Sequence, residues 1–273
     1  MTQQRTVGLT VIHAVLIVLA ALTLYPFLQM LNLSLKSIYQ YQVNALGLTL
    51  PLHFDNYWHA WSVVRSYLWN STLLTLVSTA GVVLFSSISA YTLARYRFPG
   101  RDAIFVALMA LLMIPGVLTL IPSFLLVVRL GLSNTHWAII LPSWAAQAFN
   151  VFLLKTFFAS LPEELFEAAR IDGASHLALW MHIAVPLSKP MMGTVAILNV
   201  LGVWGDYVWP SLVLRDQRLW TVPLGLVFLS AQRNPNPGAE MAANVIAALP
   251  ILLLFSLTVR TFIRGLTSGA LKV

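Results

Sequence analysis

Cysteine is absent from the 273 residues of this chain, and charged residues make up only 9% of them. Without a thiol the chain can form neither a disulfide nor a thiolate metal site. Soluble domains carry charge on about a quarter of their residues, so the low charge excludes an ordinary soluble domain. Together with 59% hydrophobic residues, this composition indicates an integral membrane protein.

Two further absences narrow the function. The sequence contains no phosphate loop of the form G-x-x-x-x-G-K-[ST], so we expect that the chain does not hydrolyse ATP itself. It also shows no grouping of nucleophile, base and metal ligands, and we predict no enzymatic activity. The net charge of +7 would suggest nucleic acid in a soluble protein. Here the basic residues are scattered among predicted membrane loops, so no nucleic-acid partner is expected.

Long apolar stretches predict an all-α protein with six membrane-spanning helices, since a span needs about twenty apolar residues. The predicted spans cover residues 8–33, 70–91, 103–128, 137–158, 190–214 and 241–263. The first stretch is too long for a signal peptide and lacks a convincing cleavage site, so it is interpreted as a retained helix. We expect one transmembrane domain over residues 1–273. Prolines inside the third and fourth spans suggest broken helices around a translocation core.

The basic residues predict the orientation of the chain. The turn Arg95-Tyr-Arg-Phe-Pro-Gly-Arg101 between the second and third spans carries three arginines in seven residues. The side of the membrane that holds this turn and both termini has ten of the 16 Lys and Arg: Arg5, Arg95, Arg97, Arg101, Lys155, Arg170, Lys189, Arg260, Arg264 and Lys272. By the positive-inside rule this side is cytoplasmic.

A polar loop, residues 159–189, interrupts the apolar sequence on the same side. Ser160 and Glu163 have the spacing of a capping box, which predicts a helix that begins there. Gly173 is suited to a left-handed cap that ends this helix. Ser175 can cap a second short helix, which Pro186 and Pro190 are expected to end. The predicted loop is a helix, a glycine corner and a second helix.

The spacing Glu167-Ala168-Ala169, then Gly173, then Ile183-Ala-Val-Pro186 resembles the EAA loop of permease subunits of ATP-binding-cassette importers. The resemblance implies that the loop docks on a cytoplasmic ATPase and couples ATP use to transport. The residues that it implies in this coupling are Glu163, Glu167, Ala168, Ala169, Arg170, Asp172, Gly173, Ile183 and Pro186. The alternative is an amphipathic loop lying on the membrane surface.

Other stretches are similar to the carbohydrate branch of these permeases, in particular to the smaller subunit of the maltose-type transporter. They include the exit of the second span up to Arg101, residues 204–210, and the tail 265–270. The sequence departs from the family pattern at Val185, Gly205 and Arg260.

The resemblance implies the type I importer fold and a location in the cytoplasmic (inner) membrane. It also implies a second, homologous permease subunit in a heterodimer, an ATPase dimer that uses ATP and Mg, and an extracytoplasmic solute-binding protein. No cofactor is expected on this chain itself. The expected substrate is a sugar, in the first place an oligosaccharide, with a monosaccharide, a polyol or glycerol phosphate as alternatives.

The fifth span ends with Trp204, Asp206 and Trp209, which we predict to border a translocation path. A carboxylate is costly inside a membrane, so its presence favours a functional role. On a continuous helix Asp206 and Trp209 would share one face, and Tyr207 would lie about 100° away from Asp206. We therefore expect Asp206 to face the path or the partner subunit.

Two other classes of membrane protein remain as alternatives. A secondary transporter or channel would need internal symmetry and several ionisable residues within the membrane, and neither is visible. A purely structural membrane subunit would use its polar loop only to contact lipid.

Overall fold

The computed structural model describes the backbone of residues 2–231 and 236–270, with side chains for residues 9, 11–231 and 236–259. No β-strand occurs in this part of the chain, which is almost entirely helical. The described side chains do not include four of the ten basic residues behind the predicted orientation, namely Arg5, Arg260, Arg264 and Lys272. They also do not include the tail 265–270, where the sequence is similar to the family.

Fourteen α-helices are present in the described part of the chain. They are α1 Thr2–Ser34, α2 Ile38–Val43, α3 Asp55–Arg95, α4 Arg101–Leu112, α5 Gly116–Arg129, α6 Trp137–Ala145, α7 Ala148–Ala159, α8 Glu163–Ile171, α9 His176–Leu179, α10 Val185–Leu187, α11 Lys189–Gly205, α12 Val208–Val213, α13 Val222–Ser230 and α14 Pro237–Ala270. A π-helical turn, Trp180–Ala184, joins α9 to α10, and a 3₁₀ turn, Gln217–Leu219, follows α12.

Three continuous stretches are long and apolar enough to cross a membrane: Val11–Ser34, Asp55–Arg95 and Pro237–Val259. Three helix pairs meet the same criterion only when both members are counted, namely α4 with α5, α6 with α7, and His176–Leu187 with α11. The described chain thus accommodates up to six spans, and the prediction of six is confirmed in part. The helix α3 begins at Asp55, well before the predicted start at residue 70.

The break that the prolines of the third span predict is confirmed. The helices α4 and α5 meet at a bend of 104°, and the break ends at Pro115, which has the extended backbone angles φ −58° and ψ 128°. Proline cannot donate the backbone hydrogen bond that would continue a helix, and it forces the preceding residue away from helical geometry. The fourth span also bends, by 43°, although at Ala146 and not at Pro142.

Packing divides the chain into two compact units, Met1–Arg65 with Leu226–Pro250, and Ser66–Gly225 with Ile251–Val273. In the second unit an aromatic and aliphatic core joins α3, α7, α8 and α11, and it includes the buried residues Tyr91, Phe158, Phe166 and Val195. This core lies directly beneath the predicted coupling loop, so the loop is packed against the transmembrane helices.

The first unit is organised around polar side chains that are buried at the end of α1. Asn56 donates its side-chain amide to the carbonyl oxygens of Ser34 and Lys36, at 3.0 and 2.9 Å. Lys36 is itself fully buried, and this burial lowers its pKa. A β-carbon added at Gly238 would lie 2.3 Å from the Lys36 carbonyl oxygen. Only glycine therefore lets the first turn of α14 approach this backbone so closely.

Candidate functional site

The predicted helix, glycine corner and second helix are confirmed by the local geometry of the polar loop. Gly173 has φ +83°, the left-handed conformation that favours glycine. Its N–H donates to the Arg170 carbonyl at 3.0 Å, and the Ala174 N–H donates to the Ala169 carbonyl at 2.9 Å. These two bonds form a Schellman motif, which ends α8.

The second helix begins as predicted and ends between Pro186 and Pro190. The Ser175 hydroxyl accepts a hydrogen bond from the Ala178 N–H at 3.3 Å and caps α9. The helix then widens into the π turn, in which the Val185 N–H donates to the Trp180 carbonyl. This wider turn stands just before Pro186, which has no N–H to donate. Pro186 itself does not stop the helix, but the helix ends at Leu187 and its direction changes at Ser188, between the two prolines that are expected to end it.

The predicted capping box is also wrong. Ser160 is the C-cap residue of α7, and its hydroxyl donates to the Phe157 carbonyl at 2.8 Å. The helix α8 begins only after Pro162, so Glu163 is its first residue and not its third. A negative charge is still favourable at this position, because it lies at the positive end of the helix dipole.

The carboxylate of Glu163 instead joins two arginines. One of its oxygens binds the Arg95 guanidinium at the end of α3, and the other accepts from Arg170 Nη1 at 3.0 Å. Arg95 also donates to the Leu161 carbonyl at 2.8 Å and lies 4.0 Å above the ring of Phe166. The Arg95 side chain is 6% exposed. Arg95 thus fastens the start of α8 to the end of a membrane-spanning helix.

A second contact links the basic turn to α9. The Tyr96 hydroxyl and His176 Nδ1 are 2.8 Å apart, and the two rings meet edge to face at 5.1 Å between centroids. The start of α8 and the start of α9 are therefore both held by residues at the α3 terminus or directly after it.

Several of the predicted coupling residues share an exposed surface with apolar neighbours. Ile171 is 87% exposed and Leu177 is 60% exposed. The exposed predicted residues are Glu163, Glu167, Ala168, Arg170, Asp172, Gly173 and Pro186, whereas Ala169 and Ile183 are half-buried. We refer to the exposed surface of α8 and α9, including Ile171 and Leu177, as the loop face.

A cavity of about 440 Å³ lies among α5, α6, α7, α11 and the start of α12. Its lining includes Asp206 and Trp209, but it does not include Trp204. The polar residues of the lining are Thr119, Ser123, Ser143, Asn150, Asn199 and Asp206. Two of the three predicted path residues therefore meet at one cavity, together with hydroxyl and amide groups.

The predicted fifth span is wrong as a continuous helix through residue 214. The helix α11 ends at Gly205, and Asp206 has extended backbone angles, φ −72° and ψ 121°. Asp206 Oδ1 accepts from the Trp209 N–H at 3.2 Å, which supports the first turn of α12 as an N-terminal cap does. Asp206 and Trp209 thus lie together because of this break, and the argument from a shared helix face does not apply.

The family of binding-protein-dependent transport system inner membrane components matches residues 82–268 of the chain. The chain belongs to this family. It is therefore an inner membrane component of a binding-protein-dependent transport system.

The relatives of this transport component span nearly its whole length. It is 34% identical over 260 residues to the arabinooligosaccharides transport system permease protein AraQ of Halalkalibacterium halodurans, and the matched region covers 93% of each chain. It is 33% identical to the melibiose/raffinose/stachyose import permease protein MelC of Bacillus subtilis, with 100% of both chains covered.

A solved structure has the same fold. A bacterial ABC transporter involved in the import of the acidic polysaccharide alginate contains a chain that superposes with a TM-score of 0.86 at 23% identity, covering 96% of this chain and 98% of that one. The fold of this transport component is therefore the type I importer permease fold.

Sequence reasoning about this family member missed Arg95 as a loop contact, and it missed the amides of the cavity. Arg95 was noted only as part of a basic turn. Asn150 and Asn199 are polar residues within apolar predicted spans, a signal that marks functional positions in membranes. The Asn199 side-chain oxygen accepts from the Thr79 hydroxyl at 2.9 Å, so one amide is anchored to α3.

Proposed function

We propose that this chain is one of two different permease subunits in an ATP-driven importer of a sugar, with an oligosaccharide as the expected substrate. The names of AraQ and MelC support the substrate class, since both relatives are described as permeases for oligosaccharides. In this proposal ATP and Mg are used by a separate cytoplasmic ATPase dimer, and the chain itself catalyses no reaction. An extracytoplasmic solute-binding protein delivers the sugar.

The loop face is the observation that carries the coupling part of the proposal. It exposes Ile171 and Leu177 beside the carboxylates of Glu164, Glu167 and Asp172. An apolar centre with a charged rim is the usual composition of a protein interface. Exposing such aliphatic side chains to water is unfavourable in free energy, so binding of a partner that covers them is favoured. The ATPase is the partner that the family resemblance supplies.

The contacts beneath the loop give a route for coupling within this chain. Phe166 is fully buried between the loop and the transmembrane core, and Arg95 binds both Glu163 and the Leu161 carbonyl. Packed interiors transmit displacement because they leave little free volume. A movement of α8 that follows closure of the ATPase would therefore also move the end of α3.

The cavity provides groups suited to a sugar. Asn150 and Asn199 offer amide donors and acceptors, and Asp206 and Trp209 stand at one end of the lining. A sugar presents hydroxyl groups together with apolar ring faces, which such side chains can bind. We infer that the cavity is part of the translocation path and that the second permease subunit faces it.

A glycine pair offers a sharp test of coupling. Gly173 and Gly131 both have positive φ, at +83° and +70°, and both end a helix with the same two backbone bonds. A β-carbon at either position would meet nothing within 4 Å. Replacing either glycine with leucine should cost about 1–2 kcal/mol of backbone strain. Only Gly173 lies on the polar loop.

The experiment compares Gly173→Leu with Gly131→Leu in the assembled transporter. We expect Gly173→Leu to remain in the membrane but to lose the copurifying ATPase, because its side chain projects into the docking space. Gly131→Leu should retain the ATPase. If both variants retain it and transport normally, the loop face is not the docking site. Equal loss from both variants would assign the effect to strain alone.

A further inference from the structure

A stretch outside the predicted spans contains no charged residue. Residues 37–52 read SIYQYQVNALGLTLPL and contain no Asp, Glu, Lys, Arg or His. They begin at Ser37, shortly after α1 ends at Ser34, and they comprise the short helix α2 and an irregular run with bends at residues 45–47, 50 and 51. We refer to residues 45–50 of this run as the leucine segment.

The leucine segment exposes its large apolar side chains and half-buries the smaller residues between them. Leu46, Leu48 and Leu50 are 69%, 90% and 83% exposed, whereas Ala45, Gly47 and Thr49 between them are half-buried. A group of exposed large apolar side chains on a protein surface usually marks a site of contact with a membrane or with another protein. Here the large apolar side chains point outward, so the outer surface of the segment is suited to an apolar medium.

Hydrogen bonds from within the protein hold this arrangement. The buried Lys36 ammonium donates to the carbonyl oxygens of Asn44, Ala45 and Gly47. The side-chain amide of Asn32 donates to the Leu46 carbonyl at 3.1 Å. Because the carbonyl groups of residues 44–47 are satisfied from the inner side, the outer side of this part of the chain can lose contact with water without leaving these four carbonyl groups unpaired. The side chains of Lys36 and Asn32 therefore fix the backbone that carries the exposed leucines.

Aromatic residues flank the leucine segment. Tyr39 and Trp58 are 74% and 80% exposed, and Phe54 is 66% exposed. Tyrosine and tryptophan are enriched where a membrane meets water, because their rings are apolar and their polar atoms reach the headgroups. The apolar part of α1, within Val11–Ser34, has no buried side chain in its most apolar stretch. Along the chain, the leucine segment thus follows a helix whose apolar surface is exposed.

We propose that the leucine segment lies in the bilayer interface of the leaflet in which α1 ends, with Leu46, Leu48 and Leu50 inserted among the lipid acyl chains. The complete lack of charge in residues 37–52 means that insertion uses apolar contact and not attraction to anionic headgroups. This anchor fixes the depth of the end of α1. It does not depend on the sugar or on the ATPase.

Site-directed fluorescence tests the proposal, and the absence of cysteine makes single labels unambiguous. Leu48→Cys is labelled with the environment-sensitive fluorophore NBD in the complete transporter, in nanodiscs of phosphatidylcholine brominated near the top of the acyl chains. Asp55→Cys, whose native side chain is 79% exposed, serves as the aqueous control. Leu16→Cys within α1 serves as the membrane control.

We expect bromolipid to reduce the fluorescence of the Leu48 label at least about twofold, as it does for Leu16, because an interfacial anchor reaches the upper acyl region. The Asp55 label should be affected little. The result at Leu48 should not change in 1 M NaCl or when anionic lipid is added. A Leu46→Cys label on the same face should behave in the same way, which guards against a local effect of one substitution.

Two outcomes would overturn the proposal. If the Leu48 label resembles the Asp55 label in emission and quenching, the segment is in water. If the Leu48 label is shielded without quenching by bromolipid, or becomes shielded only when the solute-binding protein is added, the leucine segment is a protein docking surface.

Discussion

Replacing Arg95 with alanine removes the attachment between α8 and the end of α3. The structure shows three interactions of the guanidinium: the pair with Glu163, the hydrogen bond to the Leu161 carbonyl and the contact with the Phe166 ring. Arg95 is almost fully buried, but the Glu163 side chain is 48% exposed. The ion pair is therefore screened on one side and contributes less than a buried pair would.

These contacts allow the size of the effect to be estimated. A half-exposed ion pair contributes up to about 1 kcal/mol, and a hydrogen bond from a charged donor contributes about 1.5 kcal/mol at the lower end of its range. A cation over an aromatic ring adds about 0.5 kcal/mol or more. Arg95→Ala should thus favour opening of α8 by about 3 kcal/mol, which corresponds to about a hundredfold in the opening equilibrium.

Hydrogen exchange of the α8 amides, measured by mass spectrometry on the reconstituted transporter, reports this opening directly. We expect about a hundredfold faster exchange in Arg95→Ala and a smaller increase in Arg95→Lys, because lysine keeps the charge but lacks the planar fork of donors. Sugar transport per ATP hydrolysed should fall in the same order.

Arg97→Ala is the matched control for this experiment. Arg97 is exposed in the same basic turn. Within the described residues its side chain forms no ion pair. In the Arg97→Ala variant the α8 amides should exchange at the same rate as in the unsubstituted protein. If Arg95→Ala also leaves this rate unchanged, Arg95 does not hold α8 and the proposed route through α3 is refuted.

Three further predictions address the cavity, the packing and the orientation. Asp206→Asn should keep the cap on α12 and the assembled complex but lower sugar uptake, and loss of the complex in detergent would instead make Asp206 an assembly residue. Gly81→Ala should destabilise the purified complex by about 1–3 kcal/mol through overpacking, because the added β-carbon would lie 2.0 Å from Trp144. If thermal unfolding shows the variant to be no less stable than a distant surface variant, this packing is contradicted. Ser160→Cys should react with an impermeant thiol reagent only from the cytoplasm and Asn236→Cys only from outside, and labelling of the former in intact cells would reverse the proposed orientation.

The sequence by itself determined the features that depend on neighbouring residues. The left-handed corner at Gly173 and the Ser175 cap of α9 were both predicted, because a positive φ and a side-chain cap are encoded within about four residues. The membrane class followed from composition, since a chain with so little charge cannot cover itself with a soluble surface.

Helix boundaries within the membrane were predicted less well. Apolar side chains suit both lipid and a protein core, so a hydrophobic window does not reveal a bend such as the one at Ala146 or the break at Asp206. Prolines predict breaks in the third and fourth spans, and the third span breaks at Pro115 whereas the fourth bends at Ala146 and not at Pro142. Where each span bends was decided by packing.

Only the tertiary structure joined distant parts of the chain into sites. Arg95 and Glu163 are 68 positions apart, and nothing local in either segment specifies the other as a partner. The cavity likewise takes Asn150 from α7, Asn199 from α11 and Asp206 from the break after it. Such contacts depend on how helices pack, and many sequence-distant pairings are compatible with the same pattern of apolar residues.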